Sequence, residues 1–208
     1  MNRWLLRPAA KPLLLLACLL PLAWLVHGAA TDQLGANPAE ALVRATGDWT
    51  LRLLCLTLAV TPVRVQFHVP ALARFRRMLG LLVYLYALLH MLCYSWFDMG
   101  FDVADMARDI TKRPFILVGF GALVLLTPLA ATSFNRAVRW LGARRWQRLH
   151  RLVYVVAALG LLHFFWMRVA KNRLDEVAVY GGILAVLLAW RLWRRLSVPQ
   201  PAASGSRP

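Results

Sequence analysis

Apolar positions gather in long runs separated by short polar stretches. Six runs stand out: Leu13–Ala30, Trp49–Val65, Met78–Trp96, Pro114–Thr132, Leu152–Arg168 and Val177–Leu196. Each approaches the roughly 20 residues that a helix needs to cross the hydrocarbon core of a bilayer. In lipid the backbone must satisfy its own hydrogen bonds, so such runs are helices. The pattern therefore predicts an all-α integral membrane protein, a six-transmembrane-helix bundle. Residues 1–196 form a single membrane domain, because the connecting stretches leave no room for a soluble one and no internal repeat is evident. Residues 197–208 (SVPQPAASGSRP) are rich in Pro, Ala and Ser and read as a disordered cytoplasmic tail. The first run has a basic start and ends in small residues, as secretory signals do. Its apolar length, and the five runs behind it, favour an uncleaved first helix.

Charge adds an orientation. The chain holds 25 Lys and Arg against 9 Asp and Glu, a formal net charge of +16. A basic balance raises nucleic-acid binding as a function. A 60% hydrophobic chain of 208 residues could not bury that much apolar surface as a soluble domain. The expected partner is membrane lipid, not nucleic acid. With both termini in the cytoplasm, most Lys and Arg face inside and all 9 acidic residues face outside, as the positive-inside rule requires. The third and fifth runs then both cross outward. Cys18, Cys55 and Cys93 lie in apolar runs, without haem-attachment or paired metal spacing, and read as small apolar residues.

Histidine inside a span marks function, pairing or a water-lined cavity. His150 begins the fifth run at its cytoplasmic side, and His163 follows 13 residues later. That is roughly 20 Å along a helix. His90 lies 13 residues after Arg77, at the start of the third run. His90 and His163 therefore come to matching depth on parallel helices, where two imidazoles can ligate one haem iron from both sides. A lone histidine could instead hydrogen-bond a neighbouring helix. A zinc or non-haem iron site fits less well, because no Asp, Glu or Cys cluster accompanies the histidines. The nearby aromatics, Tyr84, Tyr86, Tyr94, Trp96, Phe164, Phe165 and Trp166, suit a porphyrin face and equally an interfacial belt. One difficulty stands: side chains 13 residues apart on an ideal helix point roughly 140° apart.

Several stretches carry a further likeness: LGANPAEALVRATGDW (34–49), LTLAVTPVR (56–64), RRMLGLLVYLYALLH (76–90), DITKRPFILVGF (109–120), PLAATS (128–133) and WLGARRWQRLHRLVYVVAALGLLHFFW (140–166). From about residue 13 to 196 the chain resembles the haem-binding membrane subunits of bacterial periplasmic methionine-sulfoxide reductase systems, in the ferric reductase-like transmembrane family. The resemblance implies one or two b-type haems held by His90, His150 and His163, in the bacterial inner membrane. It implies electron flow from a cytoplasmic flavin reductase or quinol donor to a periplasmic molybdopterin-dependent methionine-sulfoxide reductase catalytic subunit, which repairs oxidised proteins. FMN is associated with such proteins too, but no phosphate-cradling glycine loop places it here. The broader family offers two histidines on each of two helices, whereas here Arg76 and Arg77 occupy the inner position of the third run. Arg77 matches the spacing to His150 and is a tentative cofactor-binding residue. An always-protonated guanidinium is a poor metal ligand and a better propionate partner.

No nucleophile-and-base pair or substrate pocket is evident in the connecting stretches. The chain is thus expected to carry electrons rather than to reduce methionine sulfoxide itself. Competing readings are a metal-reducing or b561-like transmembrane cytochrome, and a cofactor-free transporter or assembly protein. The acidic stretch FDMGFDVADMARDITKRP (97–114) is the expected docking face for a periplasmic partner.

Overall fold

The computed structural model describes residues 3–169 and 172–197, and every element among them is helical. In chain order the α-helices are α1 (Arg3–Leu6), α2 (Ala10–Ala30), α3 (Pro38–Gln66), α4 (Arg76–Cys93), α5 (Val103–Lys112), α6 (Pro114–Ala131), α7 (Asn135–His150), α8 (Val153–Val169) and α9 (Leu174–Ser197), with a 3-10 turn over Pro70–Phe75 leading into α4. Ser197, read as the start of the tail, ends α9, and the rest of that segment lies outside the described residues.

Five described stretches are long and apolar enough to cross a membrane: Ala10–Ala30, Pro70–Asp98, Pro114–Ala131, Asn135–Val169 and Leu174–Ser197. The remaining expected span lies within α3, which has 29 residues and carries Glu40, Arg44, Asp48, Arg52 and Arg64. It starts well before Trp49, because capping chemistry outweighs hydropathy there. The Asn37 side chain accepts the Glu40 backbone N–H at 3.1 Å, and Pro38 fills the first helical position. Glu40 then pairs with Arg44 one turn on. This extension places Val43, Gly47 and Asp48 on a regular helix.

The tightest pairings are α3 with α4 and α6 with α8. α9 lies against α8 and α3, and α2 leans on α3. Leu51, Leu54 and Leu58 of α3 meet Leu79, Val83 and Tyr86 of α4 and Val156 of α8 in one buried cluster. The buried Tyr86 hydroxyl donates to the Cys18 carbonyl at 2.8 Å, as a polar tip in an apolar interior must. Burial runs opposite to hydropathy. Leu16, Leu20 and Trp24 on the very apolar α2, and Val186 and Leu192 on α9, face outward, whereas the charged α3 is central. Lipid solvates the apolar helices, and the bundle interior shelters the polar one.

Two connections hold more structure than hydropathy implied. After α4 the chain makes a π-helical turn over Tyr94–Asp98, then a glycine turn, then the amphipathic α5. Asp102 caps α5 by accepting the Ala104 and Asp105 N–H groups at 2.8 and 2.9 Å. The arginine-rich stretch before α8 is the helix α7, kinked at Gly142, whose φ of 72° only glycine adopts freely.

Candidate cofactor site

His90, in the last turn of α4, faces α3. Its Nδ1 lies 2.8 Å from the Val43 carbonyl oxygen, and the Thr46 hydroxyl stands 3.5 Å away. His163 of α8 faces α6, with Nδ1 2.7 Å from the Phe115 carbonyl oxygen. A carbonyl oxygen can only accept, so each Nδ1 carries the proton. In a neutral imidazole this leaves Nε2 with a free lone pair. The two rings approach with centroids 6.1 Å apart and planes 74° apart. The depth match expected of His90 and His163 is thus a direct juxtaposition.

Two glycines stand behind the rings. A Cβ on Gly47 would lie 3.1 Å from His90 Cε1, and one on Gly119 would lie 2.8 Å from His163 Nδ1. Each follows its accepting carbonyl by four residues, one helical turn: Val43 and Gly47 on α3, Phe115 and Gly119 on α6. Sequence reasoning missed both. The available signal was an isolated glycine in a helical pattern, which marks a close approach.

Both histidines line a cavity of about 310 Å³. Its walls include Leu51, Leu54, Leu126 and Val156, with Ala87 and Gly160 leaving room between them. Toward the acidic end of the bundle its lining includes Arg44, Asp48, Tyr94, Asp98, Arg113 and Arg168. Arg168 is buried, pairs with Asp48 and with Glu176 at 2.8 Å each, and lies over the Phe164 ring. It ties α3, α8 and the start of α9 together beside the cavity. Arg113 pairs with Asp109 at 2.9 Å, and Asp109 accepts the Tyr94 hydroxyl at 2.7 Å. Asp105 pairs with Arg108. The aspartates of the expected docking face therefore also cap and brace α5.

The donor set limits what the cavity can hold. Among the described residues no three His, Cys, Asp or Glu side chains gather where they could bind a metal ion. A bare zinc ion wants four ligands, and two imidazoles leave it short. They suit an iron that brings its own equatorial nitrogens. Two metal–nitrogen bonds of roughly 2 Å plus two ring radii come to roughly 6 Å, which the centroid spacing matches. The apolar walls fit a porphyrin face, and Arg44 and Arg113, each paired with a neighbouring carboxylate, have further N–H donors for its carboxylates.

The other candidates lie at the arginine-rich end. His150 ends α7 rather than beginning α8, so the 13-residue interval to His163 does not follow one helix. This removes the 140° difficulty. The Thr132 hydroxyl donates to the Pro128 carbonyl at 2.6 Å and lies 3.1 Å from His150 Nε2. With its one proton so used, the hydroxyl accepts from His150, whose proton then sits on Nε2. The ring stacks on Trp146 at 3.9 Å. Arg77 donates to the Asn135 side chain at 2.8 Å and borders a surface groove with Lys11 and Arg74. His68 sits in a turn with φ of 53°, and the His27 carbonyl accepts the Thr31 hydroxyl.

Comparison with known proteins places this cavity in context. Residues 46–161 match the family described as ferric reductase like transmembrane component. The chain is 71% identical over 192 residues to the protein-methionine-sulfoxide reductase heme-binding subunit MsrQ of Polaromonas naphthalenivorans, covering 92% of this chain and 88% of the relative. Identity to the protein of the same name from Herminiimonas arsenicoxydans is 53% over 190 residues, covering 90% and 87%. To that of Ralstonia nicotianae it is 54% over 178 residues, covering 86% and 82%. No solved structure matches the chain.

Proposed function

From the premise that the chain belongs to the ferric reductase-like transmembrane family, we propose that it is the haem-carrying electron conduit of a protein-methionine-sulfoxide reductase system. The observation that carries the reading is the His90–His163 pair: two imidazoles 6.1 Å apart, each with Nδ1 bonded to a carbonyl and Nε2 free. A metal-binding histidine characteristically donates its other ring N–H to such an acceptor. The chain is a multi-pass inner-membrane protein. In this reading α3 is its sixth crossing and both termini are cytoplasmic, so the acidic end, with the histidine pair, faces the periplasm.

Bound there, a b-type haem supplies one-electron redox chemistry. The protein's own groups do the rest. His90 and His163 would hold the haem iron through their Nε2 atoms. The leucine and valine walls exclude water. Arg44 and Arg113 would receive the propionates, and the buried Arg168, itself paired with Asp48 and Glu176, braces α3, α8 and α9 beside the site. The cavity lies toward the acidic end, where the catalytic subunit that reduces methionine sulfoxide collects electrons. His150 belongs to electron intake at the opposite end. The histidine pair holds one haem; a second, inner haem at His150 would require its Nε2 to release Thr132 first. Arg139, Arg144, Arg145 and Arg148 around α7 give the cytoplasmic face the charge to attract an anionic flavin or the acidic surface of a flavin reductase. Arg77 anchors α4 to the start of α7 through Asn135.

The test is a single-turnover transfer. The purified protein, reduced with dithionite, is mixed with a periplasmic methionine-sulfoxide reductase catalytic subunit and methionine sulfoxide. The reading expects reduced-haem absorbance to decay at a rate that depends on catalytic-subunit concentration. A bleaching rate unchanged by that subunit, or a purified protein without haem absorbance, refutes it. Equal reactivity toward ferric chelates without the subunit would favour the metal-reducing alternative.

A further inference from the structure

We propose that Gly47 and Gly119 are paired positioning residues that fix the tautomer and the crossed orientation of the His90 and His163 rings. The proposal rests on the haem reading above and goes beyond it. In a helix the side chain of residue i+4 lies back over the turn that carries carbonyl i. That carbonyl already accepts the i+4 backbone N–H, and its second lone pair can be reached only if residue i+4 leaves it uncovered. Glycine does so. Both imidazoles use this opening: His90 reaches the Val43 carbonyl past Gly47, and His163 reaches the Phe115 carbonyl past Gly119. The same device thus appears in α3–α4 and in α6–α8, the two most closely packed helix pairs. In each, the glycine surface and the carbonyl together set how far the ring enters the cavity and about which axis it is turned. The 74° crossing of the planes is the outcome.

Other glycines show that this is not a general feature of the bundle. Gly121, two residues beyond Gly119 on α6, has open space where a Cβ would go, and so has Gly160 on α8. Helix packing alone would not require both glycines to be filled by histidine rings. Adding a methyl at Gly119 meets the ring at 2.8 Å, so the ring must move. At Gly47 the distance is 3.1 Å, and a few tenths of an ångström suffice. A displaced ring loses its carbonyl acceptor, becomes a weaker electron donor to iron, and favours the reduced state.

The experiment compares Gly119→Ala, Gly47→Ala and the control Gly121→Ala in purified full-length holoprotein. Haem per chain, the low-temperature EPR spectrum of the ferric form and the midpoint potential are measured. Gly121→Ala should match the parent. Gly119→Ala should weaken haem retention by on the order of 10-fold or more. Whatever haem remains should show a shifted largest g value and a higher potential. Gly47→Ala should show the same changes with smaller amplitude. If both variants fold, by circular dichroism, yet match the parent in all three readouts, the proposal is overturned. If Gly119→Ala does not accumulate in the membrane, Gly47→Ala decides. The proposal fails separately from the haem reading: that reading falls if His90→Ala and His163→Ala both keep the haem. Loss of haem in those two, with unchanged glycine variants, sinks the positioning role alone.

Discussion

The two ends of the bundle hold their histidines by opposite nitrogens. At the acidic end His90 and His163 donate from Nδ1 to helix carbonyls, and their rings approach edge to face with centroids 6.1 Å apart in an apolar cavity. At the arginine-rich end His150 donates from Nε2 to the Thr132 hydroxyl and stacks on Trp146. The residue type is the same, and the 13-residue interval made the ends look alike. The difference lies in which acceptor the backbone offers. A carbonyl behind a glycine frees the outer nitrogen for a metal, whereas a threonine hydroxyl consumes it. Tautomer, set by the second hydrogen bond, decides what a histidine can do.

The comparison can be broken most decisively at the rings themselves. His90→Ala and His163→Ala should each remove nearly all Soret absorbance from the purified protein, while His150→Ala should leave the spectrum unchanged and slow reduction by the cytoplasmic donor. Equal haem loss in all three would make the two ends alike. Next in size is Arg168→Gln. It leaves Asp48 and Glu176 without their shared cation beside the cavity, and should cost on the order of 2–4 kcal/mol. Thermal unfolding in detergent would read this as a clearly lower Tm. Asp48→Asn added to Arg168→Gln should be milder than the two separate losses summed. Thr132→Val strands the His150 Nε2–H and should cost about 1–2 kcal/mol, with the haem spectrum preserved. The smallest effect belongs to the exposed Asp105–Arg108 pair. Asp105→Asn should change stability by less than about 1 kcal/mol and chiefly alter the salt dependence of electron delivery.

Much of this arrangement was legible in the sequence, and the reasons for the remainder are specific. The apolar runs located α2, α4, α6, α8 and α9, because a membrane leaves a long apolar segment no other backbone solution. Depth matching paired His90 with His163, because rise per residue along a helix is fixed. The start of α3 escaped, since Asn37 and Pro38 act through capping geometry rather than hydropathy. The α5 helix escaped for a related reason: four aspartates read as a charged loop, yet Asp102 caps and Asp109 braces. The facing of His150 remained a difficulty along one continuous helix, because the break at Arg151–Leu152 carries neither Pro nor Gly. The carbonyls of Val43 and Phe115 were out of reach, as backbone acceptors leave no residue-type signature. Only the glycines one turn later mark them.

The central claim is that one iron is held between two imidazoles whose planes cross. A low-temperature EPR spectrum of the oxidised, purified full-length protein, quantified against haem content, tests it most directly. The account predicts a low-spin ferric haem with the strongly anisotropic, large-g signal of near-perpendicular imidazole planes. A high-spin five-coordinate signal, or the rhombic low-spin signal of parallel imidazoles, would contradict it.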